Sequence, residues 1–240
     1  MRLTRKHSCR PAVLGLMTGS DMNSSFDFSV ATVALRRLVA PLLGLSLLVA
    51  GGVANAVQLT SSPRLLQMVD EMVAEEGFSR SQLLSLLAQA EFKQSILDAI
   101  SRPAEKVLEW HEYRQIFVTN QRISRGLEFW QKHEQSLERA EQEYGVPAQI
   151  IAAIIGVETY YGRQKGGHRV VDALATLAAS DYRRNDFFLR QLKAFLIISR
   201  QEQQNPLDAV GSYAGAFGIP QFIPTSFQQY AVDFDGDGQR

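Results

Sequence analysis

The stretch Val146–Gly162 reads VPAQIIAAIIGVETYYG, and it decides the fold class that we predict for this chain. Pro147 suits the first turn of a helix, where its missing N–H has no partner to lose. Three isoleucines then recur at the spacing of one helical face, and the next position of that stripe is Glu158. The three are Ile151, Ile154 and Ile155. The pattern predicts a helix that carries a carboxylate where an apolar side chain is expected.

We expect Glu158 to be buried on this stripe. A buried carboxyl group without a partner tends to keep its proton. A protonated acid, here beside Tyr160 and Tyr161, is what general acid catalysis requires at neutral pH. The alternative is a structural glutamate held by a backbone or arginine partner, because many buried acids have no role in catalysis.

Composition limits the classes of function. The chain has 240 residues, 25 basic and 25 acidic side chains, and one cysteine, Cys9. This length allows one large domain or two small ones. A formal net charge of zero argues against a nucleic-acid binder that depends on bulk electrostatics. A single cysteine rules out an internal disulfide framework and a cysteine-based metal site.

Residues 1–56 contain a segment typical of a secretory signal peptide. Arg36 and Arg37 precede an apolar run, and Ala54–Ala56 forms a small-x-small cleavage site. Pro41 and several glycines make a transmembrane anchor the less favoured alternative. No cysteine follows the apolar run, so a lipoprotein anchor is not expected. We therefore predict a leader over residues 1–56, export, and no stable membrane span after cleavage.

The remaining chain has helical patterns almost throughout. One helix from Arg64 should end at Gly77, Ser79 is placed as an N-cap, and a third helix is expected over residues 92–100. The buried stripe of the first helix is predicted to consist of Leu65, Met68, Val69, Met72 and Val73. Residues 57–104 are interpreted as an N-terminal helical subdomain.

Residues 109–144 predict one or two longer helices. Their expected buried face consists of Trp110, Tyr113, Phe117, Ile123, Leu127 and Trp130. Two more helices are predicted over Asp172–Ala179 and Asp186–Gln201. Strand signals are weak everywhere, so the predicted fold class is mainly α.

The C-terminal residues 233–240 match the first eight positions of an EF-hand calcium loop. Asp233, Asp235 and Asp237 take positions one, three and five, with Gly238 at six and the Gln239 carbonyl at seven. The bidentate acid of position twelve would follow Arg240. We therefore expect this sequence to be a fragment, or a prematurely ended reading frame, whose calcium site is incomplete.

Three ordered segments together resemble the lytic murein transglycosylase B family. They read HEYRQIFVTNQRI, IIAAIIGVETYYGRQKGGHRVVDALATLA and GSYAGAFGIPQFIPTSFQQYAVDFDGDG. The resemblance spans roughly residues 58–240. It implies a lysozyme-like helical catalytic domain over residues 105–240, incomplete at its C-terminus. It also implies a periplasmic enzyme that cleaves peptidoglycan between N-acetylmuramic acid and N-acetylglucosamine, leaving 1,6-anhydromuramyl ends.

The resemblance also implies roles for individual residues. Glu158 is the general acid and then the base, Ser212, Gln221 and Phe222 line the sugar groove, and Tyr113 lies on the opposite wall. The aspartate loop would bind structural calcium, whereas the chemistry needs no cofactor. The implied partner is the peptidoglycan glycan strand, bound by a monomer. From the residues alone, the alternative for Tyr113 is a place in a core, and the alternative for Ser212 is a helix cap.

One acid is enough only if the substrate supplies its own nucleophile. Most glycosidases use two carboxylates, and the nearest downstream acids, Asp172 and Asp181, lie amid helix or turn signals. Glu158 would protonate the leaving oxygen and then take the proton of the muramyl C6 hydroxyl. Two alternatives stay open, a hydrolytic muramidase and a non-catalytic peptidoglycan-binding protein.

Overall fold

A computed structural model describes residues 58–102 and 108–240 of the chain. The predicted leader at residues 1–56, with Cys9, lies outside the described residues. The described part is mainly α, as predicted. Its helices are α1 (Pro63–Glu76), α2 (Arg80–Gln89), α3 (Gln94–Ser101), α4 (Trp110–Phe117), α5 (Asn120–Tyr144), α6 (Ala148–Thr159), α7 (Val170–Ala179), α8 (Asn185–Gln201) and α9 (Pro224–Tyr230).

The first predicted helix is confirmed in its bounds and in its buried face. Four of the five predicted stripe residues are buried in α1, namely Leu65, Met68, Val69 and Met72. Gly77 ends the helix in the left-handed conformation with φ of 67°, which glycine adopts without steric cost. The Ser79 hydroxyl accepts a hydrogen bond from the Gln82 backbone N–H at 3.4 Å, so it caps α2 as predicted.

One hydrophobic core joins the beginning of the described chain to its second half. Side chains of α1, α2 and α3 pack with those of α7 and α8 in a single buried cluster. Nearly all of α7 is buried, from Val170 to Ala178. Residues 57–104 and 105–240 therefore share their largest core, and the division between them stays a prediction.

A buried ion-pair network ties the α2–α3 connection to α7. The Asp172 carboxylate is fully buried and accepts hydrogen bonds from the Glu91 backbone N–H at 2.9 Å and from Arg169 Nε at 2.8 Å. Lys93 Nζ lies 3.2 Å from the same carboxylate. A buried carboxylate is tolerated when it is paired and hydrogen-bonded in this way. Asp172 therefore has a structural role, because it joins α7 to the connection between α2 and α3.

The predicted buried face of residues 109–144 is wrong for most of its members. Trp110 is 71% exposed, Leu127 60% and Ile123 52%, whereas Leu137 is the buried residue of α5. Helical spacing shows which face of a helix is apolar, but it does not show what covers that face. Instead, α5 pairs with α6 through a small separate cluster around Leu137, Ala148 and Ala152.

A small sheet of two short strands joins the loop before α7 to the loop after α8. Strand β1 (His168–Arg169) pairs antiparallel with β2 (Val210–Gly211). A Cβ atom at Gly166 would lie 2.0 Å from the Gly211 carbonyl oxygen, and one at Gly211 would lie 2.2 Å from that of Ala216. Only glycine permits this close backbone approach. Within residues 58–102 and 108–240, no helix has both the length and the apolar character needed to cross a membrane.

Candidate active site

Glu158 lies in the last turn of α6, and its side chain is exposed. The expectation of a buried acid is therefore wrong for this structure. The buried face of α6 consists of small residues, Ala148, Ala152, Gly156 and Thr159. Small side chains let α5 and α6 approach closely, so the larger side chains such as Ile154 point away, and Ile154 is 52% exposed. Glu158 neighbours this exposed face and is open to a ligand.

The residues that follow Glu158 form an unusual helix end. Tyr160 and Tyr161 have φ of 51° and 58°, the left-handed region that residues with a side chain rarely adopt. The Tyr161 ring fills a slot between α5 and α6 that two glycines leave open. A Cβ atom would lie 2.6 Å from the Tyr161 hydroxyl oxygen if built at Gly126 and 2.7 Å from the ring carbon Cζ if built at Gly156. Strained backbone of this kind persists only where packing enforces it, and functional sites are where it concentrates.

Thr159 connects the end of α6 to the loop at residues 218–222. Its side chain is fully buried, and its hydroxyl donates to the Ile219 carbonyl oxygen at 2.9 Å. The same hydroxyl accepts from the Gly162 backbone N–H at 3.0 Å. The position of Glu158, one residue earlier, is thereby fixed relative to this loop.

Gln221 and Phe222, which are predicted to line a sugar groove, both lie on that loop. The Gln221 backbone has φ of 53°, and its side-chain Nε2 donates to the carbonyl oxygens of Lys165 at 3.2 Å and Gly218 at 3.0 Å. Phe222 is half-buried, and its carbonyl oxygen accepts from the Phe217 N–H at 2.9 Å. The Gln221 amide thus joins the residue 218–222 loop to the loop that follows α6.

Ser212 shapes the neighbouring turn. Its hydroxyl oxygen accepts hydrogen bonds from the Ala216 N–H at 3.1 Å and the Ala214 N–H at 3.3 Å. Ser212 therefore stabilises a turn, and it does not cap a helix, which was the alternative interpretation of this residue. Among the described residues none accepts the Ser212 hydroxyl proton, so a ligand can accept it.

Tyr113 is 43% exposed on α4, so its assignment to a helical core is not supported by this structure. It contacts Phe117, with ring centroids 5.1 Å apart. The link from α4 to the site is Arg122, whose guanidinium lies 5.0 Å from the Phe117 ring centroid and 4.6 Å from that of Tyr160.

Sequence reasoning missed Arg122. Its Nη1 donates to the Gly156 carbonyl oxygen at 2.7 Å, close to the C-terminal end of α6. A cation is favourable at that end because the helix dipole is negative there. In the sequence, Arg122 is one of several arginines on a polar helix, and no local pattern distinguishes it from the others.

The aspartate loop brings three exposed carboxylates close together. Carboxylate oxygens of Asp233, Asp235 and Asp237 lie within 4.8 Å of one another. The Asp233 carboxylate accepts from the backbone N–H groups of Gly236 at 2.8 Å and Gly238 at 2.9 Å. Gly238, at position six of the loop, has φ of 88°, which suits the sharp turn there. The donor set of carboxylates with a carbonyl is one that calcium prefers.

The chain is similar in sequence to a known protein family and to a curated bacterial enzyme. Residues 61–240 match the family model described as the transglycosylase SLT domain. Over 187 residues the chain is 43% identical to the membrane-bound lytic murein transglycosylase B of Escherichia coli (strain K12). This alignment covers 74% of the chain and 52% of the relative, so the chain spans about half the length of that protein.

Three solved structures are similar to the described fold. The soluble lytic transglycosylase SltB1 of Pseudomonas aeruginosa is 56% identical with a TM-score of 0.72, over 74% of this chain and 60% of that one. Slt35 of Escherichia coli, in complex with calcium, is 45% identical with a TM-score of 0.71, over 75% and 57%. SltB3 of Pseudomonas aeruginosa, in complex with NAG-NAM-pentapeptide, is 31% identical with a TM-score of 0.66, over 72% and 46%.

Proposed function

The chain belongs to the transglycosylase SLT domain family, and on that basis we propose that it cleaves peptidoglycan glycan strands without water. Glu158 is proposed to act first as the acid and then as the base. The observation that carries the proposal is the position of Glu158. It is an exposed carboxylate at the end of α6, held against the residue 218–222 loop by its neighbour Thr159.

The proposed chemistry needs one carboxyl group. Glu158 donates its proton to the glycosidic oxygen as the bond from that oxygen to muramyl C1 breaks. The Glu158 carboxylate then takes the proton of the muramyl C6 hydroxyl, whose oxygen bonds to C1 and closes the 1,6-anhydro ring. The N-acetyl oxygen of the substrate stabilises the cationic C1 in between, as in substrate-assisted glycosidases. The proton returns to Glu158, so the enzyme is regenerated without water.

Because Glu158 is exposed in the free protein, we propose that the bound glycan supplies the desolvation. Closing a sugar over the carboxylate excludes water from the reacting groups. Tyr113, Ser212, Gln221 and Phe222 are the proposed walls of this groove. Phe222 offers an aromatic face for a sugar ring, while Ser212 and Gln221 offer hydrogen-bonding groups for hydroxyl or N-acetyl groups.

The test is mass spectrometry of the muropeptides released from purified sacculi. A lytic transglycosylase yields products with 1,6-anhydromuramyl ends, one water lighter than the products of a muramidase. Reducing ends would contradict the proposal in favour of a hydrolase. Sedimentation with sacculi but no released product would favour the non-catalytic peptidoglycan-binding alternative.

We further propose that the aspartate loop holds structural calcium, with Asp233, Asp235, Asp237 and the Gln239 carbonyl as ligands. The loop is attached to α8 through Arg240, whose Nε and backbone N–H donate to the buried Glu202 carboxylate at 2.8 and 2.9 Å. Calcium should therefore raise the melting temperature of the protein more than equimolar magnesium does. Asp235→Asn should remove that difference, whereas an unchanged calcium response would contradict the site.

Residues 57–104 and 105–240 are proposed as an N-terminal helical subdomain and the catalytic domain. Export to the periplasm behind the leader at residues 1–56, and a monomeric state, are also proposals. Fractionation of cells that produce the chain, followed by N-terminal sequencing of the mature protein, tests export and cleavage after Ala56. Light scattering tests the monomer.

A further inference from the structure

A basic groove lies between α5 and the residues that follow α6. Its volume is about 240 Å³. Three cations line it, Arg125, Lys132 and Arg163, together with His133 and one carboxylate, Glu128. We call these residues the basic groove. A concave surface with an excess of one charge raises the local concentration of ligands of the opposite charge.

The single carboxylate does not neutralise the basic groove. Glu128 accepts hydrogen bonds from Arg125 Nη1 at 2.7 and 3.0 Å, and Arg163 Nη2 lies 3.6 Å from one of its oxygens. The hydrogen bond with Glu128 raises the pKa of Arg125, so that side chain stays cationic. Lys132 forms no ion pair with any residue that the structure describes. One acid is thus shared by two arginines, and the groove keeps a positive excess.

The wall of the groove is well packed, and the chain connects it directly to Glu158. Tyr161 lines the groove, and its ring is held in the slot left by Gly126 and Gly156. Phe129 packs 5.6 Å from the Tyr161 ring and 4.6 Å from the His133 ring, measured between centroids. Arg163 follows in a turn that the Gln164 N–H closes onto the Thr159 carbonyl oxygen at 2.8 Å. The basic groove is therefore fixed relative to the end of α6.

The chain length between Glu158 and Arg163 places the basic groove within reach of a short peptide. Arg163 is five residues beyond Glu158, so their Cα atoms are at most about 18 Å apart, and the closed turn makes the separation shorter. An extended pentapeptide spans about 17 Å. The complex of SltB3 with NAG-NAM-pentapeptide contains a stem of this length. A stem attached to a muramyl residue at Glu158 can thus place its terminal carboxylate among these cations.

We propose that the basic groove binds carboxylates of the peptide stem of the glycan, and so makes the protein prefer peptide-bearing muramyl units. This inference rests on the proposed function. Arg163 and Lys132 are the residues that provide the preference. Arginine pairs with a carboxylate through two parallel hydrogen bonds, whereas lysine acts as a point charge.

The test is a binding titration that does not depend on turnover. The affinity of the protein is measured for GlcNAc-MurNAc-pentapeptide and for GlcNAc-MurNAc without peptide. We expect the wild type to bind the peptide-bearing disaccharide more tightly by about threefold to fivefold for each ion pair formed. Arg163→Gln and Lys132→Gln should each reduce that ratio, and 0.5 M NaCl should remove it by screening.

The matched control is Arg80→Gln. Arg80 is 50% exposed and paired with Asp70, as Arg163 is 52% exposed and paired with Glu128, but Arg80 lies on α2 outside the groove. It should leave the ratio unchanged. An equal affinity of the wild type for the two ligands would overturn the proposal. An equal loss for both ligands in Arg163→Gln would do the same, because it would indicate the lactyl carboxylate or the sugar as the ligand. Anhydromuramyl products are measured separately, so failure of the proposed function is distinguishable.

Discussion

Because Glu158 is exposed, its chemical role can be separated from any role in stability. Glu158→Gln keeps the size and polarity of the side chain but removes the proton that catalysis needs. We expect strand cleavage to fall at least 10²–10⁴-fold, the usual contribution of a general acid or base. The free energy of unfolding should change by less than about 0.5 kcal/mol, as at other surface sites. Muropeptide release and thermal melting measure the two effects.

The control for this prediction is Glu134→Gln, at an exposed glutamate on α5. It should affect neither measurement. Full activity of Glu158→Gln on sacculi would remove the assignment of this residue as the acid. A large loss of stability would show instead that Glu158 has a structural role that its contacts do not reveal.

Thr159 is the residue whose removal should disturb the site without touching the reacting group. Thr159→Val keeps the shape but deletes the hydroxyl that joins Ile219 and Gly162. A buried group left unpaired costs about 1–3 kcal/mol, and these two hydrogen bonds are part-buried, so the low end of that range applies. We expect a loss of stability in that range together with reduced cleavage. Ser199→Ala removes a buried hydroxyl that bonds only within α8, so it should lower stability less and leave cleavage intact.

At the scale of elements, the packing of α5 against α6 depends on one aromatic ring. Gly156→Ala and Gly126→Ala should each destabilise the protein by about 1–3 kcal/mol through overpacking, despite the higher helix propensity of alanine. The two clashes differ in the atoms involved. At Gly126 the nearest atom is the Tyr161 hydroxyl oxygen at 2.6 Å, whereas at Gly156 the nearest is ring carbon Cζ at 2.7 Å.

Removing that hydroxyl should therefore distinguish the two sites. In a Tyr161→Phe background, Gly126→Ala should recover most of its stability, whereas Gly156→Ala should not. Denaturant unfolding of the single and double variants measures the coupling. Equal recovery at both sites would show that the ring moves as a whole and that the slot is not rigid.

The stability that the contact between α1 and α8 adds to the fold should depend on pH. Lys193 donates a hydrogen bond to Glu71, as does Gln67 at 2.9 Å, and both lower the pKa of the Glu71 carboxyl. A lowered pKa in the folded state adds stability above the unfolded pKa of about 4.3. This stability is lost as the pH falls through the folded pKa.

Glu71→Gln should thus cost stability at pH 7 but not at pH 2.5. The cost should be at most about 1 kcal/mol, because the pair is partly exposed. Denaturant titrations at both values measure it. Glu75→Gln, at an exposed glutamate of the same helix, provides the comparison and should show no difference between the two pH values. A cost that persists at pH 2.5 would mean that Glu71 contributes through packing instead of charge.

The helix α6 shows which structural features can be predicted from a sequence pattern and which cannot. Its existence and its end near Glu158 were predictable from composition and spacing, but its buried face was not. Apolar side chains surround the helix, so the isoleucine stripe and the stripe of Ala148, Ala152 and Gly156 both fit a helical period. Periodicity identifies a buried face only where polar residues mark the opposite one. For α1, such contrast exists, and there the predicted face is confirmed.

At the scale of the whole molecule, the sequence did not allow us to predict which distant elements pack against each other. No local pattern indicates that Asp172 binds the Glu91 backbone, or that Arg122 lies over Tyr160. Such contacts join residues far apart in the chain, and each depends on the packing of every element between them. The motif residues could be identified because three motifs occur in a fixed order along the chain. The residues that position them could not be identified, because no local pattern marks them.

Because α1–α3 share one core with α7 and α8, we expect these helices to unfold cooperatively. Leu65 on α1 and Leu192 on α8 are both fully buried in the same cluster. Truncation of either to alanine should cost about 2–5 kcal/mol through lost burial and a residual cavity. Because both lie in one core, each variant should lower the same single thermal transition. Leu127→Ala, at a side chain that is 60% exposed, should shift it little.

The outcome decides how the proposed subdomains relate. If calorimetry resolves two transitions and Leu65→Ala lowers only one of them, residues 57–104 unfold separately and their contacts with α7 and α8 act as an interface between domains. If both variants lower one transition equally, the boundary near residue 104 has no thermodynamic meaning. The Asp172 network argues for the second outcome, since unfolding α1–α3 alone would break the hydrogen bond of Asp172 with the Glu91 N–H and its ion pair with Lys93.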